Sequence, residues 1–164
     1  YNYYPCKDDL LADVLHPLLE AMNSMLEDHN RPEAFSLDVF TSEEYHRSSM
    51  KEVMNIVRRY REEFKFLFSS IQDSRFNDYW EQWIKRRTVM GIEYMEGMKK
   101  LYPDLHTDIS LFFMHFTCSW WVNMMKEVVQ HEELSSEEIE CFIGEYIRFS
   151  TGGWKRLMNV KIER

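Results

Sequence analysis

The 164 residues are 45% hydrophobic and 29% charged, which suits one globular domain and excludes a disordered chain. A net charge of −8 excludes this segment from gripping nucleic acid by itself, because phosphate contacts draw on surplus Lys and Arg. No apolar run approaches the roughly 18–20 residues that cross a bilayer, and no signal peptide is visible, so no membrane partner is expected.

Few glycines and prolines interrupt a sequence rich in Met, Phe, Tyr and Trp, a balance that favours long helices around an aromatic and thioether core. Apolar spacing marks five of them. The first spans Asp8 to Asp28, with Leu11, Leu15, Leu18, Met22 and Met25 on one stripe and Pro17 inside. The segment HNRPEAFSLDVFT reads as an irregular loop. Thr41 and Glu44 then offer a capping box, with Phe40 and Tyr45 as its hydrophobic staple. The second helix carries Met50, Val53, Met54, Val57, Tyr60, Phe64, Leu67 and Ile71 on one stripe. Asp73 or Ser74 caps the third, which presents Phe76, Trp80, Trp83, Met90, Tyr94, Met98 and Leu101 and ends near Tyr102, before Pro103.

Thr107 or Asp108 caps the fourth helix, DISLFFMHFTCSWWVNMMKEVVQ, whose apolar residues cover more than half its circumference. Such a helix is expected to be buried on two sides. Ser135 and Glu138 form a second capping box, with Leu134 and Ile139 as staple. The fifth helix continues through Phe142, Ile143, Tyr146 and Phe149 to Leu157, with Gly152 and Gly153 inside it. No alternating strand pattern is present, and the chain reads as all-α. Three cysteines, Cys6, Cys118 and Cys141, show no CxxC spacing. Cys118 and Cys141 fall in apolar helical stretches and read as buried thiols of a reducing, cytoplasmic compartment.

The opening YNYYPCKDDLL resembles the end of the DNA-binding region in the TetR family of bacterial transcriptional regulators. There the last helix of a helix-turn-helix ends in an aromatic cluster, and a short turn with a lysine leads into the linking helix. The resemblance puts Tyr1, Tyr3 and Lys7 at positions that contact DNA phosphates, Tyr4 where phenylalanine is usual, and Leu10 and Leu11 at the start of the linking helix. Cys6 departs from the pattern, since serine normally caps that helix, and Asp8 is the substitute cap. The closing YIRFSTGGWKRLM is similar to the final helix of many members. The resemblance implies a remnant of the DNA-binding domain over residues 1–7. Over 8–164 it implies a helical bundle like the family's C-terminal ligand-binding and dimerisation domain. The helix-turn-helix would precede Tyr1, operator DNA would be a partner of the full-length protein only, and repression relieved by ligand is the family's common outcome.

In that family the last two helices pair with their copies in a four-helix bundle. The resemblance and the two-sided apolar pattern together point to a homodimer through Trp121, Met125, Phe142, Tyr146, Phe149 and Gly153; a monomer with a larger core is the plainer reading. Met54, Phe64, Phe68, Trp80, Trp83, Met90, Tyr94, Phe116 and Trp120 suit a flexible cavity for a small hydrophobic effector, although such a stripe also makes an ordinary core. Arg87 interrupts the apolar stripe of the third helix. A guanidinium there reaches water, meets an acidic partner, or anchors an anionic ligand. His115 and Asn123 are polar candidates for the pocket or the dimer. Glu43 and His46 make one Glu-x-x-His, half of what a di-iron bundle needs. With no HExxH, phosphate loop or nucleophile elbow, neither an enzyme nor a cofactor is expected. The alternative function is a stand-alone helical adaptor or scaffold, for which the opening motif is coincidence.

Overall fold

Leu15, Leu18, Met22, Met25 and Leu26 recur at steps of mostly three and four residues, and this stripe draws α1 (Lys7–Asp28) against the rest of the chain. The computed structural model describes residues 3–28, 31–69 and 75–161. Among these residues α1 is followed by α2 (Leu37–Thr41), α3 (Glu43–Arg59), α4 (Arg61–Phe68), α5 (Tyr79–Leu101), α6 (Leu111–Gln130) and α7 (Ser136–Leu157), with no strand. α1 runs through Pro17 unbroken. The proline lies on the exposed side, where the carbonyl it cannot serve meets water. At its start the Cys6 thiol donates to Asp9 Oδ2 at 3.2 Å and Tyr4 donates to Asp13 Oδ2 at 2.9 Å.

The described part of the expected loop is partly helical. Beyond His29 and Asn30, which lie outside the described residues, Pro32–Ala34 form a 3-10 turn and α2 follows. The next start therefore falls one residue late. Ser42, and not Thr41, caps α3, accepting from Tyr45 N at 3.1 Å, while Thr41 Oγ1 donates to Leu37 O at 2.8 Å. Phe40 accordingly meets His46, with centroids 6.4 Å apart.

The expected second helix is two helices. The chain kinks at Tyr60 without Pro or Gly, where the neighbouring Arg61 reaches across to the end of α6 and donates to Val128 O at 3.1 Å and Val129 O at 2.7 Å. The apolar stripe survives the kink, with Met50, Val53, Met54 and Val57 buried on α3 and Phe64 and Leu67 on α4. Ile71 and the expected caps Asp73 and Ser74 lie outside the described residues. α5 begins at Tyr79, which leaves Phe76 in a turn that still packs on the core.

α6 also starts later than expected. Ser110 caps it, accepting from Phe113 N at 3.1 Å. The preceding stretch is tied to the end of α7 by His106 N to Met158 O at 3.0 Å, so Thr107 is buried there and Asp108 pairs with Lys99 at 2.8 Å. α7 begins as its sequence predicts, with Glu138 N to Ser135 Oγ at 3.1 Å and Ser135 N to Glu138 Oε2 at 2.8 Å. Replacing Ser135 with Ala is expected to lower stability by about 1 kcal/mol, read as a fall in melting temperature of roughly 2–4 °C. The Ser135 backbone N–H, helped by its side chain, holds the Glu138 carboxyl below the usual carboxylate range. That contribution is complete above the unfolded carboxylate's pKa and is lost as pH falls through the lowered value. α7 ends in a Schellman motif. Asn159 takes a left-handed φ of 55°, Val160 N bonds Lys155 O at 2.9 Å, and Asn159 N bonds Arg156 O at 3.3 Å.

α5 packs along α6, α3 along α7, and α4 against α6. Gly91 allows the first of these contacts, since a Cβ there would stand 2.5 Å from Met114 Sδ. The main core joins α1, α3, α4, α5, α6 and α7, and a smaller cluster gathers Met95, Met114 and Met158 with Phe40, Tyr94 and Trp154. Within this chain α6 is covered broadly along its second half, where Met124 and Val128 are also buried, but leaves one face of its first half open. Met114, Cys118, Val122, Met125 and Val129 are buried, whereas Leu111, Phe112 and Phe116 expose more than half of their surface. Cys141 is exposed and not buried as expected, because it falls off the Ile139, Ile143, Ile147 and Thr151 stripe.

Candidate functional site

A cavity of about 300 Å³ lies where the two apolar clusters meet. α1 contributes Met25 and Leu26, α3 His46, Ser49, Met50 and Val53, and α5 Trp83, Arg87, Gly91 and Tyr94. α6 adds Met114, Thr117, Cys118 and Trp120, and α7 adds Tyr146, Ser150, Thr151 and Trp154. Each helix turns its apolar stripe toward this space, and the residues flanking each stripe supply the few polar groups.

Four of those polar groups, His46, Tyr94, Thr117 and Thr151, are committed to the backbone. Tyr94 donates to Ala34 O at 2.9 Å while its ring stacks on Phe35 at 4.9 Å, and burial pushes its pKa up to about 12. Burial does the same to Tyr146, again to about 12. His46 Nε2 lies 2.7 Å from Phe40 O, and because a carbonyl only accepts, Nε2 carries the proton. Thr117 donates to Met114 O at 2.9 Å, and Thr151 donates to Ile147 O. Burial raises the Cys118 thiol, with Arg87 opposing it, so a neutral thiol faces the site. Arg87 is different. Half-buried in the wall, it makes no hydrogen bond or ion pair with a described residue, and burial pulls its pKa below the ordinary guanidinium value.

Trp83, Arg87, Tyr94 and Trp120, all expected from the sequence to bind ligand, line the cavity. Met54, Phe64, Phe68, Trp80, Met90 and Phe116 do not. Phe64, Phe68 and Trp80 stack on one another, with centroids 6.2 Å apart for Phe64–Phe68 and 4.6 Å for Phe68–Trp80. Trp80 meets Trp83 edge-on and Trp83 stacks in turn on Trp121, so the ring series runs from this closed packing to the cavity wall, which Trp83 and Trp121 both line. Met54 is buried in the main core, Met90 packs against it, and Phe116 faces outward at 55% exposure. Met25, Ser49, Met50, Met114, Cys118 and Trp154 line the cavity without having been expected there. Their apolar or small character fits a core equally well, so no signal in the sequence separates them from it.

The residues expected at a dimer surface divide in the same way. Met125 has no exposed surface, Trp121 stacks on Trp83 at 5.0 Å and lines the cavity with Tyr146, and Phe142 is partly buried. Phe149 is 72% exposed, and Gly153 is exposed with nothing within 4 Å of a Cβ position. Phe149 lies against Trp120 at 5.9 Å, so an apolar surface crosses from α7 to Trp120, Phe116 and Phe112 on α6. His115 is exposed beside the Phe112 ring, and Asn123 donates to Ser119 O at 3.0 Å. Tyr3 and Lys7 are exposed at the start of α1, and Tyr1 lies outside the described residues. No family model, curated protein or solved structure matches this chain.

Proposed function

We propose that this chain is the effector-binding and dimerisation domain of a ligand-responsive transcriptional repressor of the TetR type. The observation that carries the reading is the reach of α1. Its last turn supplies Met25 and Leu26 to the cavity, and its other end bears the exposed Tyr3, Tyr4 and Lys7, in the segment that resembles the end of a DNA-binding domain. A helix of 22 residues spans about 33 Å, so a small tilt at the cavity becomes a larger displacement at the far end. A small hydrophobic effector that fits one arrangement of α1 better than another shifts their equilibrium by that difference in affinity and by no more.

The exposed apolar surface of α6 and α7 supports the second half of the reading, a homodimer through an isologous two-fold contact. Two-fold pairing has a purpose in a regulator, because it sets two recognition helices about one DNA turn apart in the full-length protein. Trp120 and Tyr146 line the cavity and touch each other at 5.4 Å, and Trp120 also meets Phe149, which joins the cavity wall to that surface.

Light scattering on this 20.1 kDa chain over a tenfold concentration range, with a reading of the coding frame upstream of Tyr1, tests the proposal. A stable dimer and an encoded helix-turn-helix are the expected results. A strict monomer removes the role given to the α6–α7 surface. An upstream frame without a helix-turn-helix moves the chain to the adaptor reading.

A further inference from the structure

Arg87 is the only permanently charged residue among the described residues that line the cavity, and no Asp or Glu is among them. The chain carries 28 acidic residues, and none of the described ones pairs with this guanidinium. The titratable groups that interact with its charge are the Cys118 thiol and the Tyr94 hydroxyl, both held neutral by burial. Neither supplies a counter-ion. One helical turn before Arg87, the Trp83 indole N–H is buried without an acceptor among the described residues. Donors are therefore in surplus on this wall, and a half-buried cation without a partner is satisfied when an anion meets it.

We propose that the cavity takes an apolar carboxylate, with Arg87 receiving the carboxylate and the surrounding Met and Trp side chains holding the body. The inference rests on the effector-cavity reading above and names the chemical class of its ligand. A single cation matches a single negative charge, whereas a phosphate dianion would leave charge uncompensated in an apolar site. The guanidinium fork matches the two carboxylate oxygens, which a point-charge ammonium does not. The rest of the wall is mostly apolar and carries no second permanent charge, which disfavours nucleotides and suits an alkyl or aryl body.

Isothermal titration of the full chain with decanoate and 2-naphthoate, each against its uncharged primary amide, tests the assignment. At least one acid is expected to bind tenfold or more tightly than its amide. Arg87→Met is expected to remove that preference with amide affinity unchanged, and Arg87→Gln, which keeps polarity without charge, is expected to do the same. The ligand-free Arg87→Met protein is expected to melt no lower than the parent, since it loses an unpaired charge. Equal affinity for acid and amide, no binding of either acid, or acid binding indifferent to both substitutions overturns the proposal. Amide binding without preference leaves the effector cavity standing. A monomer with no helix-turn-helix upstream removes the regulator and leaves the carboxylate site intact.

Discussion

Phe116→Glu combined with Phe149→Glu is expected to turn a stable dimer into a monomer, read by light scattering as a fall from twice 20.1 kDa to 20.1 kDa. Both rings face outward, at 55% and 72% exposure, and Trp120, on α6 with Phe116, meets Phe149 of α7. Burying such a side chain is worth about 1.5–3 kcal/mol, and in a two-fold contact each substitution counts twice. Four carboxylates in the paired surface add desolvation and mutual repulsion, so a weakening of at least a hundredfold, about 3 kcal/mol, is expected. The same change leaves the internal core untouched, and the monomer's melting temperature is expected to hold within a few degrees. An unchanged mass would move the dimer contact to another face. Gly153→Ala refines the result. Nothing within 4 Å blocks a Cβ there, so helix propensity alone gives up to about 1 kcal/mol in a monomer. A dimer weakened by this one methyl group would mean that a second chain approaches at Gly153.

The helices were legible wherever their cause is local. Ser135 and Glu138 form their box because each partner lies within one turn of the other. The cap of α3 was misplaced by one residue because Thr41 and Ser42 are both competent, and α2, which decides between them, carries no periodicity long enough to see. The break at Tyr60 left no mark in the sequence, since Arg61 is held by carbonyls at the end of a helix far along the chain. Of the four expected residues that line the cavity, Arg87 stands out in the sequence for a clear reason: a charge on an apolar stripe is an anomaly. For the apolar candidates, periodicity reports which residues face inward. It is silent on whether the facing helices close on one another. Trp83 and Trp80 share a stripe, yet one borders open space and the other lies in a closed stack.

That difference sets the largest effect expected of a single substitution. Phe64→Ala is expected to destabilise the chain by about 3–5 kcal/mol, a drop of roughly 10 °C in a thermal melt. Phe64 has no exposed surface, and its ring lies 6.0 Å from Trp80 and 6.2 Å from Phe68. Its neighbours are rigid rings, which cannot flow into the space left behind as methionines would. A domain's whole stability is about 5–15 kcal/mol, so this one truncation takes a large share of it. Trp120→Ala makes the informative contrast, because Trp120 is 37% exposed and borders the cavity. Its loss is expected to destabilise the chain by less than half as much while changing the affinity of a bound carboxylate. The opposite ranking, with Phe64→Ala costing under about 1 kcal/mol, would mean that the stack yields. The space a ligand occupies would then extend past Trp83 toward α4, and the boundary drawn between core and cavity would have to move with it.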